Sequence, residues 1–368
     1  MSVKTEAIQN QSSPTVNLSL DASGNVAAGA NLTVAGSATI PTMAGNPTFS
    51  GNPTFSGTPV FSNVPSLPSS MMFRNRIING NMYIAQRGTS ATVTAGTAVP
   101  TISTGYPCLD RWFVYSTGAN VTAAQVAGSG SNKNLLQITG AASVTAIGVG
   151  QRIEQLNSYD LAGQTCTLSV NIANSLLTTV TWTASYATTA DTFGTIGTPT
   201  KTQIATGTFT VSSTLTQYTA NIAIPAAATT GIEILFTVGS QTSGTWQIGN
   251  VQFEVGTVAT PFERRLYGQE LALCQRYFET GNQPYFYIGF GATGYTAAYG
   301  DVRFAVTKRA GGAPITATAW QYFSGGSATA FTPAFGSAAI DRLNFQGTSL
   351  TNWNGWTGNG TWTASAEL

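Results

Sequence analysis

The sequence predicts a mainly β protein: a trimeric β fibre shaft followed by a jelly-roll-like β-sandwich, one short helix and a small C-terminal β domain. Three observations predict it. Along most of the chain, apolar residues alternate with polar ones between Gly, Asn, Ser and Thr turns, as in short half-buried strands. Near the N-terminus a six-residue unit repeats in register. Charge is scarce: Asp, Glu, Lys and Arg make up 8% of the 368 residues, where an ordinary soluble domain carries roughly a quarter. The polar surface must then come from Thr, Ser, Asn, Gln and Gly, and Thr, Val, Ile and Tyr favour strands.

The same composition excludes whole classes of function. With 15 basic and 14 acidic residues the net charge is +1, which offers none of the clustered cations that nucleic-acid binding needs. No run approaches the roughly 18 apolar residues that span a bilayer, and Met1 to Pro14 has no apolar signal core, so a soluble chain that is not Sec-exported is expected. Cys108, Cys166 and Cys274 are odd in number and far apart, which fits reduced, buried thiols. Histidine is absent, and with it the commonest general base near neutral pH. No cofactor is expected. A metal site would rest on carboxylates, carbonyls and hydroxyls, which suit calcium. An enzyme on this chain would have to work with paired carboxylates.

Residues 1–15 read as an attachment segment or as disordered. Residues 16–70 read as the shaft; the alternative is a disordered Pro/Gly/Ser/Thr linker, which would not need regularly phased Phe. After the alternating stretch Val16 to Leu20 come four hexads, beginning at Pro41, Pro47, Pro53 and Pro59, and a decaying fifth at Pro65. Each hexad sets one large apolar side chain at its third position: Met43, Phe49, Phe55, Phe61 and Leu67. A short extended piece with a turn cannot bury that side chain against itself. Three copies around an axis bury the five as stacked layers. Their burial alone does not offset the entropy of ordering the shaft backbone, so the C-terminal part is expected to bring the three chains together first.

Residues 71–262 read as the sandwich, with strand-like stretches Trp112–Tyr115, Leu135–Ile138, Thr167–Val170, Val180–Tyr186, Gln217–Ile222, Ile232–Phe236 and Trp246–Glu254 at regular spacing. Residues 263–280 read as a helical connector. Leu271, Cys274 and Phe278 fall on one stripe with Tyr267 one turn earlier, and Thr260-Pro261-Phe262-Glu263 has the form of a capping box, although Gly268 would then sit inside the helix. Residues 281–368 return to β patterning with many aromatics and form the expected tip domain.

The stretch Asn75-Arg-Ile-Ile-Asn-Gly-Asn-Met82, then Ala85–Gly88, Asp110-Arg-Trp112, Gln151-Arg-Ile-Glu154, Leu161–Gly163, Val251–Gly256, Ala259–Arg265 and Glu270–Phe278, resembles tail-fibre and receptor-binding proteins of tailed bacteriophages. The resemblance covers roughly residues 74–280 and rests on the ordered set of motifs. It implies a virion tail appendage made in the host cytoplasm: a homotrimer with a carbohydrate-binding-module-like sandwich. Such a protein attaches to other tail or baseplate proteins through its N-terminus and meets a host surface polysaccharide at its C-terminal end.

Candidate binding residues follow from sugar chemistry, which pairs aromatic faces with amide and carboxylate rims. Asn352, Trp353, Asn354 and Trp356 supply that mix, and Tyr285, Tyr287, Tyr295 and Tyr299 make a second aromatic set; the alternative is that these rings form core or trimer interface. Asp110-Arg111-Trp112 reads more readily as structure than as a ligand triad, and Arg152 with Glu154 as a partly buried pair. Asp110, Glu154, Glu233 and Glu254 are enough carboxylates for a glycosidase pair about 5 to 9.5 Å apart. A binding protein is nevertheless expected, because depolymerase tailspikes are usually built around a long parallel β-helix that no pattern here supports. A shaft of three chains should give the mass of three chains by light scattering on the purified protein, and a monomer would contradict it.

Overall fold

A computed structural model describes residues 73–288, 297–324, 327–330, 333–335, 339–348 and 356–368, together with three short strands nearer the N-terminus. The chain divides into two compact units, Met1–Ser66 and Leu67–Leu368. In the first, β1 (Ala7–Ile8), β2 (Leu18–Leu20) and β3 (Val26–Ala28) pair antiparallel in one sheet. Met43, Phe49, Phe55, Phe61 and Leu67 lie outside the described residues.

The second unit opens with a β-sandwich. Its strands are β4 (Ser90–Val93), β5 (Phe113–Thr117), β6 (Val121–Ala127), β7 (Asn134–Thr139), β8 (Ala146–Ile153), β9 (Thr165–Asn174), β10 (Thr179–Ala187), β11 (Lys201–Thr210), β12 (Thr216–Ala223), β13 (Ile232–Val238) and β14 (Thr245–Val255). A five-stranded sheet, in the order β11-β10-β13-β8-β5, faces a six-stranded sheet in the order β12-β9-β14-β7-β6-β4. Every pairing is antiparallel. The period-two pattern works as read: Val114, Val149, Trp182 and Phe236 from one sheet meet Leu136, Val170, Ile172, Trp246 and Phe253 from the other in one core. The outward faces carry neutral polar pairs such as Gln247 Nε2 to Gln137 Oε1 at 2.8 Å.

Two glycines of β8 have a packing reason. Gly150 pairs with Phe113 and Gly148 with Tyr115. A Cβ at these positions would come within 2.4 Å of the Phe113 ring and 2.0 Å of the Tyr115 ring. The rings of β5 lie over the bare glycine backbone, which explains why a strand so poor in side chains is nonetheless buried.

The helix is shorter than its sequence pattern. α1 runs over Tyr267–Gln275, its first turn has no side-chain cap, and Phe278 already begins the next strand. The expected capping box serves elsewhere. Thr260 Oγ1 donates to Glu254 Oε2 at 2.6 Å, and the Glu263 carboxylate accepts from the backbone of Phe73 and of Asn75. Tyr267 is 56% exposed and is not part of the buried stripe, which consists of Glu270 and Cys274.

The C-terminal part forms two more antiparallel sheets. β15 (Phe278–Ile288), β21 (Trp356–Ser365), β17 (Ile315–Ser324) and β18 (Ser327–Ala330) make one; β16 (Ala297–Arg303), β20 (Arg342–Thr348) and β19 (Pro333–Phe335) make the other. Here part of the aromatic surplus is core. Trp320 lies 4.9 Å from Phe345 and Trp362 lies 5.6 Å from Phe304, and all four rings are buried.

This part is tied to the sandwich through its last residues. Glu367 is buried and takes hydrogen bonds from Arg111 Nη1 and, at 3.1 Å, from Arg87 Nη2. The Leu368 carbonyl oxygen accepts from Tyr106 Oη at 2.9 Å and Arg152 Nη1 at 2.8 Å. Arg309 donates to the carbonyls of Ala366 and Glu367. Removing one member of a buried pair leaves the other charge dry and unpaired. Glu367→Ala should therefore cost about 3–5 kcal/mol, read from the midpoint of urea unfolding, and Arg111→Met in the same chain should recover much of that loss. A loss below about 1 kcal/mol would show the pair to be incidental.

Candidate functional site

The residues that the sequence singled out fall into three groups. Trp353, Asn354 and Tyr295 lie outside the described residues. Tyr285 and Tyr287 fall in β15, Tyr299 in β16 and Trp356 at the start of β21; their side chains also lie outside the described residues. The motif residues are all described, and they build the fold.

Asn79 is the hub of these motifs. It is fully buried with φ 57°, its Nδ2 donates to the carbonyls of Ile84 and Asp110, and its Oδ1 accepts from the amides of Tyr83 and Ile84. The indole of Trp112 donates to its carbonyl at 2.9 Å. Asn75 bridges to β14 through Val251 and Phe253, and Gln151 pairs both amide atoms with the backbone of Ile78. The segment 75–84 forms no strand; two backbone hydrogen bonds to β14, from the Arg76 amide to the Phe253 carbonyl and from the Val251 amide to the Gly80 carbonyl, and side-chain amides satisfy its buried backbone groups.

The four carboxylates that might have formed a hydrolytic pair are each buried and engaged. Asp110 accepts from the Gln86 backbone and side chain, with Arg87 Nη1 at 3.6 Å. Glu233 takes Arg152 Nε at 2.8 Å and Lys201. Glu254 takes the Thr260 amide and hydroxyl. Glu154 takes Arg276 Nη2 at 2.6 Å and Tyr277 Oη at 2.7 Å. The expected pairing of Arg152 with Glu154 does not form. Arg152 stands on β8 directly opposite Glu233 of β13, whereas Glu154 lies beyond the strand end and turns toward the helix.

Among the described residues, the arrangement best suited to a ligand is a surface groove of about 240 Å³ lined by Asn81, Tyr83, Lys133, Arg264, Arg265, Leu266, Tyr267 and Glu270. Three distant segments meet there: the Asn79 loop, the turn before β7 and the first turn of α1. Tyr83 and Tyr267 pack edge to face with centroids 5.3 Å apart. The Lys133 ammonium lies 4.8 Å from the Tyr83 centroid and donates to its hydroxyl at 3.1 Å. Asn81 Oδ1 has no hydrogen-bond partner. Glu270 is occupied by Arg265 and the Asn79 amide. Arg264 and Arg265 also line an adjoining hollow of about 290 Å³ that contains Phe73 and Phe262. An exposed Tyr267 ring packed on a half-buried Tyr83, beside an amide and cationic donors, matches a sugar ring, whose C–H face is apolar and whose rim is polar. No single motif marks these residues; the one readable hint was Tyr267, an aromatic at the polar start of a helix.

No protein-family model matches the chain, and neither does any curated protein. Among solved structures, the enzymatically active domain of bacteriophage CBA120 tailspike protein 4 aligns with 50% of this chain and 22% of its own, at 19% identity and a TM-score of 0.30. A family 11 carbohydrate-binding module from Clostridium thermocellum, in complex with a β-1,3-1,4-mixed-linked tetrasaccharide, aligns with 47% of this chain and 99% of its own, at 12% identity and a TM-score of 0.28. The module TmCBM61 in complex with β-1,4-galactotriose aligns with 44% of this chain and 100% of its own, at 11% identity and a TM-score of 0.29.

The motif network makes a prediction about pH. Burial pushes the Asp110 carboxyl up from 3.8 to about 6, against the opposing pull of Arg87 and the Gln86 hydrogen bonds. A carboxyl raised in the folded state favours folding while protonated; that contribution is complete below its ordinary value and is lost as pH rises through about 6. Asp110→Asn should flatten this part of the stability curve, whatever it does to the total. Urea unfolding at several pH values between about 4 and 7 tests it, and a variant curve as steep as that of the parent would contradict the assignment.

Proposed function

We propose that this chain is a non-enzymatic, homotrimeric receptor-binding fibre protein of a tailed bacteriophage, which binds a glycan of the host bacterial surface, lipopolysaccharide or capsule. The observation that carries the binding part is the groove in which Tyr83, Tyr267, Lys133 and Asn81 set aromatic edges, a held ammonium and a buried, unpartnered amide oxygen around one small space. The fibre part is supported by the ordered motifs of residues 74–280 and by the phased hexads. The full engagement of Asp110, Glu154, Glu233 and Glu254 supports binding without cleavage. Three copies per fibre raise avidity, so modest affinity per groove is sufficient for adhesion. Trp353, Asn354, Trp356, Tyr285, Tyr287, Tyr295 and Tyr299 belong to the same proposal as a second recognition surface at the tip, and the N-terminal residues as the attachment to the virion.

A glycan-binding screen with the intact protein tests the reading. Tyr267→Ala should weaken binding roughly three- to tenfold with the unfolding midpoint unchanged, and Trp353→Ala with Trp356→Ala should weaken adhesion to host cells. Reducing-sugar release from host capsule would instead mark a depolymerase. Failure of both sets of substitutions to change adhesion would leave a fibre connector that binds only virion proteins.

A further inference from the structure

We propose that the groove takes an acidic saccharide, a sugar ring bearing a carboxylate or phosphate; this rests on the glycan-binding reading above and names the chemistry of its ligand. Among the described residues, every Lys and Arg except Lys133 and Arg264 forms an ion pair with a carboxylate. The two exceptions are not scattered over the surface. They come from segments 131 positions apart and line the same groove.

Nothing in that groove neutralises them. Its one carboxylate, Glu270, is buried and committed to Arg265. The first turn of α1, which begins at Tyr267, has no side-chain cap, so its free amides add positive potential at the same place. Both cations are held but not used up. Lys133 donates one hydrogen bond to Tyr83, and an ammonium has three donors; Arg264 donates through Nη2 to the Ser131 carbonyl, and a guanidinium has five. The remaining donors are free for a carboxylate or phosphate.

The rest of the lining argues for a sugar rather than a bare anion. Tyr267, at 56% exposure, offers a ring to C–H groups, and Asn81, whose buried Oδ1 has no donor, lies in the same lining. At about 240 Å³ the space is below the roughly 300–1,000 Å³ of drug-sized sites, which suits one ring with its substituent. Two cations make too small a patch for nucleic acid.

The test is calorimetry on the intact protein with hexagalacturonate, its carboxyl-reduced neutral counterpart, mannose 6-phosphate and hexaglutamate. Hexagalacturonate or mannose 6-phosphate should bind about tenfold more tightly than the neutral sugar at low salt, with the preference lost near 0.5 M salt. The stronger of these two separates carboxylate from phosphate sources. Lys133→Gln with Arg264→Gln should abolish the preference while leaving the unfolding midpoint in place. Lys4, Lys133, Lys201 and Lys308 are the only lysines, so protection of Lys133 from acetylation by hexagalacturonate gives a second readout. Equal binding of acidic and neutral sugars, unmoved by the double substitution, overturns the proposal and leaves glycan binding standing. Hexaglutamate binding as tightly as hexagalacturonate also overturns it. Absence of any saccharide binding overturns both.

Discussion

Arg111 is buried between the sandwich and the last residues of the chain, where its guanidinium meets Glu367 and lies 3.5 Å from the ring centroid of Tyr277. A charge that dry is tolerable only with a partner, and its partner is more than two hundred residues away in sequence. The pair therefore forms only when β21 has returned to the sandwich, and it brings Arg87, Arg152, Tyr106 and Arg309 onto the same terminal segment. A second buried pair, Lys308 with Glu279, holds the start of β15 against the segment after β16. Long-range ionic contacts of this kind specify which surfaces meet, while the apolar core between the sheets supplies most of the burial.

Scarcity of charge then acquires a physical meaning. Most described carboxylates and cations are placed inside the structure or at its seams, in pairs that join distant segments. The outer faces of the sheets rely on Thr, Gln and Asn. On such a surface even two unpaired cations dominate the local field, and Lys133 and Arg264 stand together beside two tyrosines. Among the described residues the groove is distinctive because the other lysines and arginines are each paired with a carboxylate.

Strands with period-two apolar residues, such as β9, β10, β13 and β14, were legible because alternation alone decides which face is buried. β8 and β11 were not. The apolar pattern of β8 is broken by Gly148 and Gly150, whose role depends on the rings of β5, and β11 is an edge strand that needs few apolar residues. The helix was legible in its interior and misread at both ends. Thr260 and Glu263 found long-range partners in place of local ones, and Phe278 was taken up by the pairing of β15 with β21. The structural role of Asp110, Arg111 and Trp112 could be anticipated from residue type. Their partners could not, since Glu367, Asn79 and Gln86 reach them only through the closed fold. For the same reason the groove residues, drawn from three segments, carried no local signature.

The central claim is a division of labour among the described charges: buried pairs hold the fold, and Lys133 and Arg264, without carboxylate partners, are left for the proposed recognition. Urea unfolding of five single variants tests it most directly: Arg111→Gln, Arg152→Gln, Lys308→Gln, Lys133→Gln and Arg264→Gln. The first three should each lose about 3–5 kcal/mol, because a buried carboxylate or carbonyl is left without its cation, and the last two should stay within about 0.5 kcal/mol of the parent. Comparable losses in all five would contradict the account, since the groove cations would then be part of the scaffold.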